Sequence, residues 1–234
     1  MQFGNRLLDG LSANDRRRLG ALVETVSLGS QQYTNHRDAR MTHVDFPSGA
    51  LMSVVATLAN GGTCEVAVVG LEGFVEIDAA LESRVAGRSS FCQVAGTVVR
   101  MPIDVFLAEL ESNRAFAVLV RRSVRARSFV TEQTAACNAK HSMVERCARW
   151  LLMVRERTGS DGFRITQDFL AMMLGVRRAS VTIAARALQA AGTITYYRGE
   201  VRILDRSGLG EAACECYEIS RAAIERAFSS ADQD

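Results

Sequence analysis

Between Ile165 and Leu188 the apolar positions recur three and four residues apart in two blocks with a break between them. Phe169, Leu170, Met173 and Leu174 make one helical face, Val181, Ala184, Ala185 and Leu188 make a second, and the polar positions fall opposite. Thr166 suits the N-cap of the first block, and Asp168 in its first turn suits the positive end of the helix dipole. Gly175 supplies the left-handed residue that ends the first helix and turns the chain. The pattern therefore predicts two helices joined by a tight turn, the second starting at Arg177. After Ala191-Gly192 the periodicity shortens: Thr193 to Tyr197 and Val201 to Leu204 are β-prone runs about Arg198-Gly199-Glu200, and so a hairpin. An ordinary helical hairpin with solvated arginines has the same helical spacing, but a helix-turn-helix followed at once by a β-hairpin is the pattern of a winged helix. Its outward face carries Arg177, Arg178, Ser180 and Thr182, groups able to contact phosphates and base edges, and Arg198 sits at the tip of the wing.

The rest of the chain divides by texture. Residues 5 to 24 carry two short amphipathic helical patterns, the first marked by Leu7, Leu8 and Leu11, the second capped by Ser12 and burying Leu19, Leu22 and Val23. From Val26 to about Met101, short β-prone runs (Leu51 to Leu58, Cys64 to Val69, Phe91 to Val94, Thr97 to Met101) alternate with glycine turn signals, which suggests an antiparallel jelly roll or barrel. Pro102 closes that region, and Ile103 to Leu110 resumes helical periodicity. Arg114 to Asn138 contains neither glycine nor proline, and Phe116, Leu119, Val120, Ser123, Ala126, Val130, Gln133 and Cys137 fall near a heptad-like stripe. That stripe is expected to pair the helix with its twin, packing against its own barrel being the alternative. His141 to Thr158 reads as another helix with Val144, Cys147, Ala148, Leu151, Leu152 and Val154 inward and Trp150 as an anchor. Leu209 to Phe228 reads as a closing helix, followed by a frayed polar tail, SSADQD. The fold class is thus α+β: a β-roll domain over 1–113, a dimerisation helix over 114–138 and a winged helix-turn-helix over 139–234.

Charge sharpens this division. The net charge is only +2, yet residues 114 to 206 hold 17 basic against 7 acidic side chains while the remainder holds 11 against 19. The basic part contains the helix-turn-helix, the field expected of a module that binds a polyanion. No apolar run is long enough to span a bilayer, and MQFGNRLLDGL lacks a signal peptide's apolar segment, so a cytoplasmic protein without membrane association is expected. The cysteines Cys64, Cys92, Cys137, Cys147, Cys214 and Cys216 have no framework spacing and are expected to be reduced and packed. Cys214 and Cys216 leave a redox or metal role open, but no second cysteine pair or nearby histidine in the sequence completes a ligand set.

In their order, these parts resemble the Crp/Fnr family of bacterial transcription regulators. NRLLDGLSANDRRRL is similar to the family's opening helices, FPSGALMSVV and CEVAVVGLEGF to its β-roll, and HSMVERCARWLLMVRERTG with ITQDFLAMMLGVRRASVTIAARALQAAGTITYYRGEVRILDRSGL to its DNA-binding domain. The resemblance implies a homodimer that presents two recognition helices to successive major grooves of double-stranded DNA, with RNA polymerase as a further partner. It places the DNA contacts at Arg177, Arg178, Ala179, Ser180, Thr182 and Ile183, with Thr166 and Gln167 near a phosphate. Arg178 matches the family's base-reading arginine, whereas Ala179 and Ile183 depart from the glutamate and arginine of the best-known members, so their operator does not carry over. The family's cyclic-nucleotide pocket would correspond to Gly70, Glu72, Gly73, Arg88 and Ser89. The glutamate comes one residue late and the arginine is displaced, so no cofactor is expected, cyclic nucleotide staying open. Residues before Cys64 hold no cysteine cluster for iron–sulfur ligation, and His36 and His43, open to haem ligation, are expected to be exposed.

Two other function classes compete. A jelly-roll metal enzyme needs several histidines converging with a carboxylate, and His36 and His43 are seven apart on opposite faces of any continuous strand, so no catalytic residue is expected. An RNA-binding interaction protein would use the same basic surface, and preference for one palindromic duplex separates the two.

Overall fold

The computed structural model describes residues 1–229. In chain order the elements are α1 (Arg6–Asp9), α2 (Ala13–Gly20), β1 (Glu24–Leu28), β2 (Tyr33–Asn35), β3 (His43–Pro47), β4 (Leu51–Thr57), β5 (Thr63–Val69), α3 (Ile77–Ala80), β6 (Ser89–Val94), β7 (Gly96–Pro102), α4 (Ile103–Ser112), α5 (Arg114–Lys140), α6 (Met143–Thr158), β8 (Gly162–Arg164), α7 (Gln167–Leu174), α8 (Arg178–Ala190), β9 (Ile194–Tyr197), β10 (Glu200–Ile203), α9 (Arg206–Ala212) and α10 (Cys216–Phe228). They form two compact units. One comprises Met1–Val55, Val66–Phe129 and the segment from Ala223, the other Ala56–Glu65 and Val130–Ala222, so the division falls inside α5.

The first unit holds a three-stranded sheet, β1-β7-β3, and a four-stranded sheet, β2-β6-β4-β5. β7 pairs antiparallel with both β1 and β3, and β6 with both β2 and β4, the jelly-roll character expected from the glycine-punctuated runs. Leu28, Ala50, Met52, Val54, Val69, Val75, Cys92 and Val98 make one buried cluster of this unit. A second cluster joins the opening helices to α4 and α5: Leu7, Leu8, Leu11 and Leu19 meet Phe46, Phe74, Phe106 and Phe116. Asn5 and Ser12 cap α1 and α2 with their side-chain oxygens, which fixes the short helices that the leucine spacing predicts. Leu22, expected inside, is exposed, because α2 ends at Gly20 before reaching it.

Of the α5 stripe expected to pair with its twin, Phe116, Val120 and Ser123 are buried within the chain's own first unit and Cys137 within the second, while Leu119, Ala126, Val130 and Gln133 stay half-buried. The outward positions lie one residue over, with Ala115, Arg125, Phe129 and Ala136 exposed and Val118 partly so. α6 begins with a capping box, Ser142 and Glu145, and ends at left-handed Gly159. Val144 is only half-buried, while Cys147, Ala148, Leu151, Leu152, Val154 and Trp150 are buried as expected. The expected closing helix is two helices: the chain is extended at Ala213, and α10 restarts at Cys216. Of the tail expected to be frayed, residues 230–234 lie outside the described residues. No helix among the described residues is long and apolar enough to cross a membrane.

Candidate nucleic-acid interface and effector cavity

The second unit builds a basic face from α7, α8 and the β9–β10 hairpin. Thr166 Oγ1 accepts the Phe169 amide at 3.2 Å, so α7 starts where the cap residue predicts, and Gly175, at φ +65, ends it. α8 then runs with Val181, Ala184, Ala185 and Leu188 buried. That burial fixes its rotation: Arg177, Arg178, Ala179 and Ile183 are exposed, and Ile183 keeps 69% of its surface open. Arg177 occupies the N-cap and supplies no side-chain acceptor, and the first turn of α8 holds no acidic residue. The Ser180 amide turns back to the Arg177 carbonyl at 2.9 Å, and no side chain caps the helix start, which suits it to an external anion.

Arg178 Nη1 lies 3.4 Å from Asp168 Oδ2, with both side chains mostly exposed. An exposed pair of this kind contributes between 0 and about 1 kcal/mol, so it holds the guanidinium ready without trapping it. Thr182 is half-buried and spent internally: its Oγ1 lies 2.7 Å from Gln167 Oε1 and 3.1 Å from the Arg178 carbonyl, bracing α8 against the start of α7. Ser180 is likewise half-buried. Arg186, exposed one turn beyond Ile183 on the same face, joins the basic row; the continued helical spacing from Thr182 and Ile183 is the signal that finds it.

The wing is a three-stranded sheet, β8-β10-β9, all antiparallel. Tyr197 and Glu200 pair across a two-residue turn in which Arg198 has φ +49 and Gly199 φ +78, the doubly left-handed geometry of tight hairpin turns. The Gly199 carbonyl accepts the Ile165 amide at 2.8 Å, which sets the wing tip beside the first turn of α7. Arg198 lies 5.2 Å over the Tyr197 ring and stays exposed. Thr166, Arg177, Arg178 and Arg198 thus share one surface of this unit.

The first unit contains a cavity of about 250 Å³ lined by Asn35, Glu76, Asp78, Arg88, Ser90 and Arg127, among others. Of the candidate effector residues only Arg88 lines it. Gly70 and Glu72 close a local turn, the Gly70 amide 3.3 Å from Glu72 Oε1; the Gly73 carbonyl accepts from Asn5; and the Ser89 hydroxyl accepts the Arg37 amide. Glu76, which no sequence pattern singles out, is the most perturbed acid here. It accepts from Asn35 Nδ2 and from the Asp45 amide, both at 2.8 Å, while Asp45 is held by Arg100 at 2.8 and 2.9 Å. Burial first, and then the Asp45 charge, push the Glu76 carboxyl up to about 7. Burial also lowers Arg127 to about 10, and its guanidinium donates to the carbonyls of Phe74 and Val75. His36 is exposed against Tyr33, but His43, expected to be exposed, has only 18% of its side chain open and lies 3.5 Å from Asp45.

A winged helix with a basic recognition face, on a chain that also folds a β-roll, defines the class: a DNA-binding transcription regulator. Residues 145–212 match the family model of the Crp-like helix-turn-helix domain. Its fold is similar to that of a regulator assigned to the Crp/Fnr family from Eubacterium rectale (TM-score 0.68, 15% identity, covering 88% of this chain and 96% of that one). It is similar also to a CRP-family regulator from Thermus thermophilus (0.69, 16%, 80% and 96%) and to FixK2 from Bradyrhizobium japonicum (0.68, 12%, 82% and 98%). No curated protein matches the chain by sequence.

Proposed function

We propose that the protein acts as a homodimer on a roughly palindromic duplex, each copy laying α8 in a major groove and its wing tip against the adjacent backbone. The observation that carries this is the rotation of α8: one face is closed by Val181, Ala184, Ala185 and Leu188, while Arg177, Arg178, Ala179, Ile183 and Arg186 stand open on the other. Arg178 is assigned to base reading, since a mobile guanidinium suits bidentate pairing with guanine. Thr166, Gln167, Arg177 and Arg198 are assigned to phosphates, with Ser180 beside them and Thr182 bracing Gln167. Ala179 and Ile183 add apolar contact of the kind that reads a thymine methyl. RNA polymerase is the protein partner that such a regulator engages. For the β-roll cavity we favour a ligand other than a cyclic nucleotide, because only Arg88 of the candidate pocket residues lines it, and Glu76 and Asp78 stand there beside Arg88 and Arg127. Selection of binding sites from random duplexes tests the reading: two-fold symmetric half-sites about one helical turn apart are expected, and equal affinity for single-stranded RNA would overturn it.

A further inference from the structure

The end of α5 and the junction between α9 and α10 meet in a cluster that the DNA-reading face does not use. Cys137, His141, Cys214 and Cys216 each offer one ligand atom, all within 4.8 Å of one another, and the three cysteines are buried. Cys137 Sγ lies 3.5 Å from Cys214 Sγ, and Cys216 Sγ lies 3.6 Å from His141 Nδ1. A tetrahedral zinc ion with sulfur ligands at about 2.3 Å holds its donors roughly 3.8 Å apart, so small side-chain rotations close this set on an ion. Cys214 and Cys216 look incomplete in the sequence because their partners lie far upstream. Cys137 and His141 are four apart, and the His141 amide continues the helical bonding to the Cys137 carbonyl at 3.0 Å, which puts both on one face.

The surroundings fit a metal centre better than packed neutral thiols. His141 Nε2 lies 3.2 Å from Glu215 Oε2 while Nδ1 faces the sulfurs, the carboxylate–histidine arrangement that orients a ligating imidazole. Gln133 Nε2 donates to Cys216 Sγ at 3.1 Å, and the Cys216 amide donates to the Cys214 sulfur. Arg149 is 3% exposed, its Nε has no hydrogen-bond partner among the described residues, and its charge acts on Cys137. With neutral thiols that buried cation has no ion pair among the described residues, a costly arrangement, whereas three thiolates about a divalent ion carry one net negative charge and offset it.

We propose that Cys137, His141, Cys214 and Cys216 bind one zinc-class divalent ion in a closed site that braces the DNA-binding unit. On binding to the reduced chain, three thiol protons leave to solvent, three metal–sulfur bonds and one metal–nitrogen bond form, and nothing is oxidised. The ion ties the last turn of α5, the residue before the Ser142 cap of α6 and the opening of α10. The break at Ala213 thereby acquires a reason: an unbroken helix would carry Cys214 and Cys216 to different faces, since residues two apart do not face each other.

The test uses the full chain, purified with reductant and without chelator. Stoichiometric zinc by metal mass spectrometry is expected, and cobalt(II) exchange should give thiolate charge-transfer absorption with the intense visible bands of a tetrahedral site. Cys137→Ser and Cys216→Ser should each change those bands, Glu215→Gln should weaken binding by about 10–100-fold, and Cys64→Ser, outside the cluster, should leave them intact. Absence of cobalt–thiolate absorption in the reduced wild-type chain overturns the proposal without recourse to any variant. So does unchanged absorption in both serine variants, or a Cys137–Cys214 disulfide in a chain that takes up no metal.

Discussion

Arg178 pairs with Asp168 in the free protein, and in the proposed complex it would exchange that partner for a base edge. Because the Asp168 pair is exposed, breaking it costs little, and most of the guanidinium's binding energy is available to discriminate bases. Arg178→Ala should therefore lose about 1–3 kcal/mol of preference at one base pair per half-site, measured by competition among single-base operator variants. A uniform loss over all sequences would instead make Arg178 a phosphate clamp. Glu76 makes a different kind of prediction. Its folded pKa is raised from 4.5 to about 7, so its contribution to stability is complete below pH 4.5 and lost as pH rises through about 7. That loss is on the order of 3 kcal/mol. Amide exchange in β3 and β6 should accelerate over this window in the wild type, and Glu76→Gln should flatten the dependence. Arg178 is legible in the sequence because the helix start and turn that position it are local. Glu76 is not, because its shift arises from burial and from Asp45, brought to it by the folding of the sheets.

At the scale of elements the same contrast recurs. α5, α6, α7 and α8 follow from 3.6-residue periodicity and local caps, and the buried face of α8 is the one its apolar spacing gives. β1, β2, β3 and β8 leave little trace in the sequence: β2 and β8 are three residues long, β1 is mostly exposed, and each is defined by a partner strand distant in the chain. The most exposed stripe of α5 lies one residue over from the expected seam, because the face its own chain covers is decided by Phe46, Phe74 and Phe106, which lie outside the helix and are brought to it by folding. The wing offers the sharpest test of an element. Gly199 sits at φ +78, so Gly199→Ala should cost roughly 1–2 kcal/mol. Trp150, packed 6.4 Å from Phe163 of β8, reports that loss by fluorescence during unfolding. Arg198→Ala should leave folding alone and reduce the salt dependence of DNA binding by about one ion per copy. An unchanged salt slope would remove the wing tip from the interface.

At the scale of the whole molecule, a DNA reader gains affinity by joining two half-sites, and the joint must come from a surface the single chain leaves open. On α5 the inward stripe is already consumed by Phe116, Val120 and Ser123, which leaves Ala115, Val118, Arg125, Phe129 and Ala136 outward, with Arg122 and Glu132 in the same row. These positions are spaced alternately three and four apart, the repeat that lets two helices run side by side. Phe129, 39% exposed, is the large apolar side chain of that row among the described residues. Burying it against a second copy removes it from water, whereas aspartate at the same place would set two like charges together. Phe129→Asp should therefore sediment as a monomer, bind an isolated half-site like the wild type, and lose on the order of 10²–10⁴-fold affinity for the palindrome through loss of effective concentration. If the variant remains a dimer with full palindrome affinity, the pairing lies on another surface and the outward row of α5 is only solvated.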